Sequence, residues 1–542
     1  LKQLNVTTLW VGPIFRQRKH LNTYHGYGIQ DFLEVDPRFG TRDDLVALVQ
    51  SAHQQGMRII LDVIFNHSGD NWLYPTDLPG GAYTPHYTGG RYPFGGWRRK
   101  TGNDQALVDT ASLNDPNDGV WPRELQDPER YTRAGAGSLG SGDIGDEFAE
   151  HKRSDFIDLR DFNLRERGLL TDLAACYKYW IALTDCDGFR IDTLKHVSFE
   201  EARNFCGGIK EFAANLGKAD FFLVGEVAGG DEPQQRYLDA LDRNMNAALD
   251  IGQARLALHA LAKGLEHPNV YFNGFQTGAM LGSHRNLGKR HVSILDDHDH
   301  VFGQKLRFSA EATSPHQIAA GVALQYFTLG IPCVYYGSEQ SLGGPENDAR
   351  QFLPEWKGSD RYLRETMFGG SHPLRDAGTG DGLQSDNALP GFGPLGTTGR
   401  HLFDPDSTAF QRIGMLGALR ARFPVLRVGR QYLRPTSFLG RAFAVHGPGE
   451  LLAWSRILDD EEALVIVNVH GAESRGADVI VDANLSGAAL TVVLNTATAD
   501  GGFNGSHPIG STVPVQRTAE GAAFVAIRDL PPSETLVLVN RP

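Results

Sequence analysis

Four stretches of this sequence end an apolar run in groups that can move protons or attack carbon. Ile59-Ile60-Leu61-Asp62-Val63-Ile64-Phe65 carries an acid and leaves through Asn66 and His67. In Gly188-Phe189-Arg190-Ile191-Asp192-Thr193-Leu194-Lys195-His196, Arg190 and Asp192 stand two apart, so on a strand they share a face. An arginine beside a carboxylate favours the ionised form, which a carboxylate nucleophile needs. Phe221-Phe222-Leu223-Val224-Gly225-Glu226 puts an acid at the tip of a wholly apolar strand, where burial and nearby carboxylates raise its pKa toward that of a general acid. Ile294-Leu295-Asp296-Asp297-His298-Asp299-His300 clusters acids with imidazoles. Each admits a structural reading taken alone: a satisfied core acid at Asp62, a turn former at Asn66, an ion pair at Arg190 and Asp192, a cap at Glu226. The last cluster also admits a transition metal, but no His-x-x-x-His or Glu-x-x-His partner accompanies it. Four strand ends that each deliver a carboxylate favour acid–base and nucleophilic chemistry at one face.

Something must hold those four ends together. Apolar runs at 7–11, 58–64, 187–192, 221–226, 246–250, 291–296 and 332–336 alternate with helical patterns such as 43–55 and 174–182. That alternation implies βαβ units and a parallel sheet covered on both faces. The fold class is therefore α/β, a (β/α)₈ TIM barrel, whose catalytic face lies at the C-terminal ends of the strands. Seven strands are countable where a closed barrel needs eight. Leu1 reads as the last turn of a helix, with no starting Met and no signal peptide, so a missing first barrel strand is expected and the compartment is left open. Between His67 and Phe156 the pattern gives way to Gly, Pro and aromatics, as in Tyr92-Pro93-Phe94-Gly95-Gly96-Trp97. A stretch of that length is a functional loop or a small domain. A second Gly- and Pro-rich insertion spans 343–404, followed by a helix at 408–421. After 423, short alternating segments at 451–457, 463–469, 478–481, 490–494, 523–527 and 535–539 suggest an antiparallel β-sandwich. The division is thus 1–66 with 157–422 for the barrel, 67–156 for the insertion and 423–542 for the C-terminal domain.

Composition narrows the partners. A formal charge of −13 opposes a nucleic-acid surface, and no apolar run approaches the roughly 20 residues that span a bilayer. A neutral sugar is compatible with both. The four cysteines, Cys176, Cys186, Cys206 and Cys333, follow no zinc or disulfide spacing; Cys186 and Cys333 read as buried thiols.

These motifs, in this order, resemble the four signature regions of the α-amylase superfamily, glycoside hydrolase family 13: Asp62–His67, Gly188–His196, Gly225-Glu226-Val227 and His298-Asp299. Tyr24-His25-Gly26-Tyr27, with Asp31, Asp36-Pro37 and Gly40-Thr41, is similar to the family's loop after its second strand. The resemblance covers residues 1 to about 422. It implies a retaining hydrolase of α-1,4-glucosidic bonds in starch-like glucans, with Asp192 as nucleophile, Glu226 as acid and base, and Asp299 stabilising the oxocarbenium-like transition state. Tyr27 would stack under the sugar; Asp62, His67, Arg190 and His298 would bind it or orient the carboxylates. Lys195 and His196 would contact the leaving-group sugar, as in endo-acting members and cyclodextrin-forming transferases. A structural calcium ion would take oxygen from Asn66, Asp158 and the His196 carbonyl. Asp297 departs from the family's usual Asn, adding a charge beside the site. A glucanotransferase sharing the intermediate, and a non-catalytic binding relative, are the alternatives; retention of all three carboxylates weighs against the second.

Overall fold

The computed structural model describes residues 1–18, 21, 23–78, 84–100, 107–275, 288–342, 360–364, 367, 404–501 and 505–542. Most of the insertion expected at 343–404 lies outside them.

Among the described residues seven parallel strands form the barrel sheet in chain order: Thr8–Val11, Arg58–Val63, Gly188–Ile191, Phe222–Gly225, Ala247–Leu249, His291–Ile294 and Ile331–Cys333. All seven runs read from the sequence are there. Among the described residues the ladder is open between the first and last, and both of these edge strands are only half-buried. Alternation along the strands explains the double core. Ile60, Val224, Ala247, Leu249, Val292 and Ile294 fill the barrel centre. Their neighbours Ile59, Leu61, Phe189, Ile191, Leu223 and Ala248 pack outward into the main core with the helices. The helices Arg42–Gln54, Leu169–Thr184, Phe199–Asn215, Gln253–Ala262 and Pro315–Phe327 supply that outer layer. Arg42–Gln54 starts at a capping box in which Thr41 accepts the Asp44 N–H and Asp44 accepts that of Thr41.

The segment after His67 packs Trp72, Tyr74, Trp97 and Tyr131, all fully buried, into an aromatic cluster continuous with the main core. Arg160 lies over the rings of Trp72 and Tyr74 and pairs with Asp70 at 2.5 Å. A two-stranded ribbon, His67–Ser68 against Arg160–Asp161, fastens the segment where it leaves and rejoins the barrel.

Past the helix Thr408–Arg422 the described residues form nine antiparallel strands between Arg430 and Val539. Thr512–Arg517 runs in two ladders: its first half pairs with Ala489–Asn495 and its second with Ala523–Leu530. The sheet thereby folds onto itself around Leu464, Ile466, Val479, Val492, Val525 and Ile527. The molecule is thus a TIM-type barrel with a C-terminal antiparallel β domain. Arg412 on the helix meets Glu534 of that domain at 2.6 Å, both buried.

Candidate active site

Register decides which side chains meet. Asp62 is the ladder partner of Arg190, and Arg190 that of Val224. Ile191 pairs with Gly225, so the next residues, Asp192 and Glu226, leave neighbouring strands side by side. All four polar residues have the inward parity that elsewhere fills the barrel with Ile60 and Val224.

The buried Arg190 guanidinium is the hub. Its Nη1 donates to Asp62 Oδ1 at 2.9 Å and Asp192 Oδ1 at 2.6 Å, while Nη2 lies 3.1 Å from Glu226 Oε2. It also sits 5.0 Å from the centre of the Trp10 ring. Asp62 accepts from Trp10 Nε1 at 3.0 Å and from the Tyr27 hydroxyl at 3.2 Å. That hydroxyl is 2.7 Å from His298 Nε2, which in turn is 2.9 Å from Asp299 Oδ2. Arg364 holds the other oxygen of Asp299 at 2.5 Å and reaches Asp360 at 3.0 Å; Tyr24 donates to Asp360. One continuous polar chain therefore joins Asp192, Glu226, Asp62, Tyr27, His298 and Asp299.

The electrostatics separate the three carboxylates. Burial pushes Glu226 up to about 7; Arg190 opposes this, Asp192 and Asp299 add to it, and the Thr193 N–H opposes it. Burial also raises Asp192, to about 6, with Arg190 pulling down and Asp62 and Asp299 pushing up. The arginine was expected to favour ionisation of Asp192, and it does pull that way, but burial outweighs it. Burial works against ionisation of Asp299 too, yet His298 and Arg364 prevail and hold it well below the usual carboxylate range. Asp299 is thus a fixed anion, Asp192 ionises first of the remaining two, and Glu226 keeps its proton longest.

His67 stacks on Phe156 with ring centres 5.5 Å apart, and burial drops its pKa to about 3. His196 meets the edge of the same Phe156 ring at 5.0 Å, and its Nδ1 is 2.6 Å from the His151 carbonyl. Burial likewise takes its pKa to about 3. Both imidazoles are neutral hydrogen-bonding groups. Lys195 is half-buried and its amine has no partner among the described residues.

Two placements depart from expectation. Asp158 is exposed and accepts from Thr84 Oγ1 at 3.4 Å; the acid that the Asn66 side chain reaches is Asp161, at 3.1 Å. The ribbon at Arg160–Asp161 is what brings the later residue inward. Asp297 turns beneath its own chain, accepting the Asp299 N–H at 2.6 Å and lying 3.9 Å from Arg255. Its added charge closes a turn instead of facing the cleft. Trp10 and the Asp360–Arg364 pair are site residues that sequence reasoning missed. An acid and an arginine four apart at 360 and 364 were the available signal, lost inside a Gly-rich stretch with no periodicity.

Thr193 follows Asp192 in left-handed conformation, φ 51° and ψ 29°. That conformation costs a β-branched residue about 1–2 kcal/mol.

The barrel carries carboxylates that converge at the C-terminal ends of its strands, and solved structures share its fold. An α-amylase from Geobacillus thermoleovorans, complexed with acarbose, superposes with a TM-score of 0.62 at 20% identity over 99% of this chain and 89% of that one. CldA, a cyclomaltodextrin glucanotransferase, gives 0.66 at 19% identity over 99% and 88%. At those identities the likeness is one of fold. The profile of the family described as "Alpha amylase, catalytic domain" matches residues 1–372, and the chain belongs to that family. An α-amylase of Streptomyces lividans is 28% identical over 517 residues, covering 88% of this chain and 50% of that protein. A cyclomaltodextrinase of a Bacillus species is 25% identical over 359 residues, covering 66% and 53%. The chain spans about half the length of these relatives.

Proposed function

We propose that this chain is a retaining glycoside hydrolase that cleaves α-1,4-glucosidic bonds in starch-like glucans or maltooligosaccharides. The observation that carries the reading is the pairing of Asp192 with Glu226. They follow register partners on neighbouring parallel strands and share one guanidinium. Neighbouring strands lie about 4.8 Å apart, which supports the roughly 5–5.5 Å carboxyl separation of retaining enzymes over the roughly 6.5–9.5 Å of inverting ones. Asp192 attacks the anomeric carbon while Glu226 gives its proton to the leaving oxygen. Water, deprotonated by Glu226, then releases the sugar with its α configuration restored. Asp299 stays ionised throughout and faces the positive charge that develops on the ring. Among the described residues carboxylates outnumber guanidiniums in the site, with Asp62, Asp192, Asp299 and Asp360 against Arg190 and Arg364, and that balance favours a cationic transition state. Tyr27, His67, Arg190 and His298 hold the sugar or the carboxylates, and Lys195 and His196 lie on the leaving-group side.

The test is incubation with a reducing-end-blocked maltooligosaccharide, with product anomers followed by NMR. α-Anomers released first support the reading; β-anomers overturn it. A glucanotransferase is the second reading, favoured by likeness to a cyclomaltodextrin glucanotransferase from Bacillus sp. (strain 38-2). Products longer than the substrate would select it.

The calcium ion that the resemblance implies would be held by Asn66, Asp161 and the His196 carbonyl. Asp161 carries the fit. It is 1% exposed, burial and the neighbouring Asp155 hold it well above the usual carboxylate range, and among the described residues no basic side chain pairs with it. Among those residues no group of three or more His, Cys, Asp or Glu side chains could hold an ion, so amide and carbonyl oxygens would complete a hard-cation site. The ion would supply charge neutralisation where the 67–156 segment joins the barrel. Binding at a hundredfold excess over Kd adds about 2.7 kcal/mol, so chelation is expected to lower Tm by a few degrees and added calcium to restore it. An unchanged Tm after chelation removes calcium from the picture.

A further inference from the structure

Glu226 presents its two carboxyl oxygens to different surroundings. Oε2 accepts the Thr193 main-chain N–H at 2.9 Å and lies 3.1 Å from Arg190 Nη2. Among the described residues nothing pairs with Oε1, and the side chain keeps 12% exposure. Both groups at Oε2 are donors that retain their hydrogens at any working pH. A proton on Oε2 would set donor against donor, so the neutral acid carries its hydrogen on Oε1.

Thr193 reaches Oε2 in an uncommon way. A β-branched residue at positive φ is a genuine outlier, and this one sits between Asp192 and the 3₁₀ turn Leu194–His196. Its carbonyl accepts the His196 N–H at 2.9 Å, so the same residue turns the chain out of the strand. Its hydroxyl is buried and makes no hydrogen bond, so the side chain does not account for the conformation. The N–H, held in the peptide plane shared with Asp192, points at the neighbouring strand's acid, while the positive φ turns the chain that follows.

We propose that Thr193 is a positioning residue for the acid: its N–H fixes Oε2 as the accepting oxygen, so that the proton leaves and returns only through Oε1. This rests on the hydrolase reading above. In the first step the Oε1 proton passes to the glycosidic oxygen as the C1–O bond breaks, its electron pair staying on that oxygen, while an Asp192 oxygen bonds to C1. In the second, Oε1 takes a proton from water as the water oxygen displaces Asp192.

The test replaces Thr193 by its α-hydroxy acid during translation, which turns the N–H into an ester oxygen and leaves the side chain in place. Values of kcat/KM are measured against pH for a maltooligosaccharide and for α-glucosyl fluoride, whose leaving group needs no proton. The maltooligosaccharide value is expected to fall roughly tenfold or more while the fluoride value falls less than about threefold. The alkaline limb is expected to move up by roughly one pH unit. Thr193→Gly keeps the N–H and tolerates positive φ, so its limb is expected where the unmodified protein's lies. Equal losses on both substrates, an unmoved limb in the ester, or a limb in Thr193→Gly displaced as far as the ester's each overturns the assignment. A natural chain that turns over neither substrate overturns the hydrolase reading instead, and the assignment with it.

Discussion

Asp192→Asn is expected to lower turnover of a maltooligosaccharide by roughly four orders of magnitude or more, about 5.5 kcal/mol of transition-state stabilisation. The amide matches the carboxylate in shape and still accepts from Arg190, but it cannot form the acylal-type bond to C1. Fold should be retained, because Arg190 keeps Asp62 at 2.9 Å and Glu226 at 3.1 Å when the charge at 192 is removed. Burial already raises Asp192, so the neutral amide costs little desolvation. The check is a rate assay beside a thermal melt. A variant keeping a tenth of the activity with an unchanged Tm would remove Asp192 from the nucleophile's role; a lost fold would show instead that the Arg190 network needs every anion it has.

The same network shows what could be read from the chain and what could not. An acid at the end of an apolar strand is visible in one dimension, since period-two alternation assigns it a face and the strand assigns it an end of the barrel. Asp62, Arg190, Asp192 and Glu226 were legible for that reason, and the register Asp62–Arg190–Val224 realises it. Contacts made by irregular backbone carry no such period. Asp161 and Asp158 are three apart in one loop, and only the ribbon with His67–Ser68 separates a buried acid from an exposed one. Arg364 reaches Asp299 from a part of the chain 65 residues away, with no strand end to announce it. In the C-terminal domain Thr512–Arg517 escaped notice because Pro514 interrupts its pattern and it serves two ladders. Trp10 was legible as a strand residue but not as the donor to Asp62, because the use of its indole N–H depends on a partner 52 residues away.

Glu226→Gln is expected to lower kcat/KM for unactivated glucosides by about 10²–10⁴ and to erase the alkaline limb of the pH profile. The sign follows from which form works. Glu226 acts as acid only when protonated, and burial lifts it to about 7, so activity is present below that pH and is lost as pH rises through it. Asp192 acts only when ionised and lies near 6, so activity is lost as pH falls through that value. The profile of the unmodified protein is therefore a narrow bell between those limbs, with a lower ceiling than two well-separated groups would give. In the glutamine variant only the acid limb should persist, set by Asp192. Glu226 is still largely protonated at the pH where Asp192 titrates, so a neutral amide in its place changes little charge there and the acid limb is expected to stay near 6. An alkaline limb that survives in Glu226→Gln would mean that another group donates the proton. Among the groups in contact with this site, burial raises the Tyr27 hydroxyl far above its ordinary value, and burial leaves His67 neutral with a pKa of about 3. Neither of these titrates near 7 and Glu226 does, so the falling limb is assigned to Glu226.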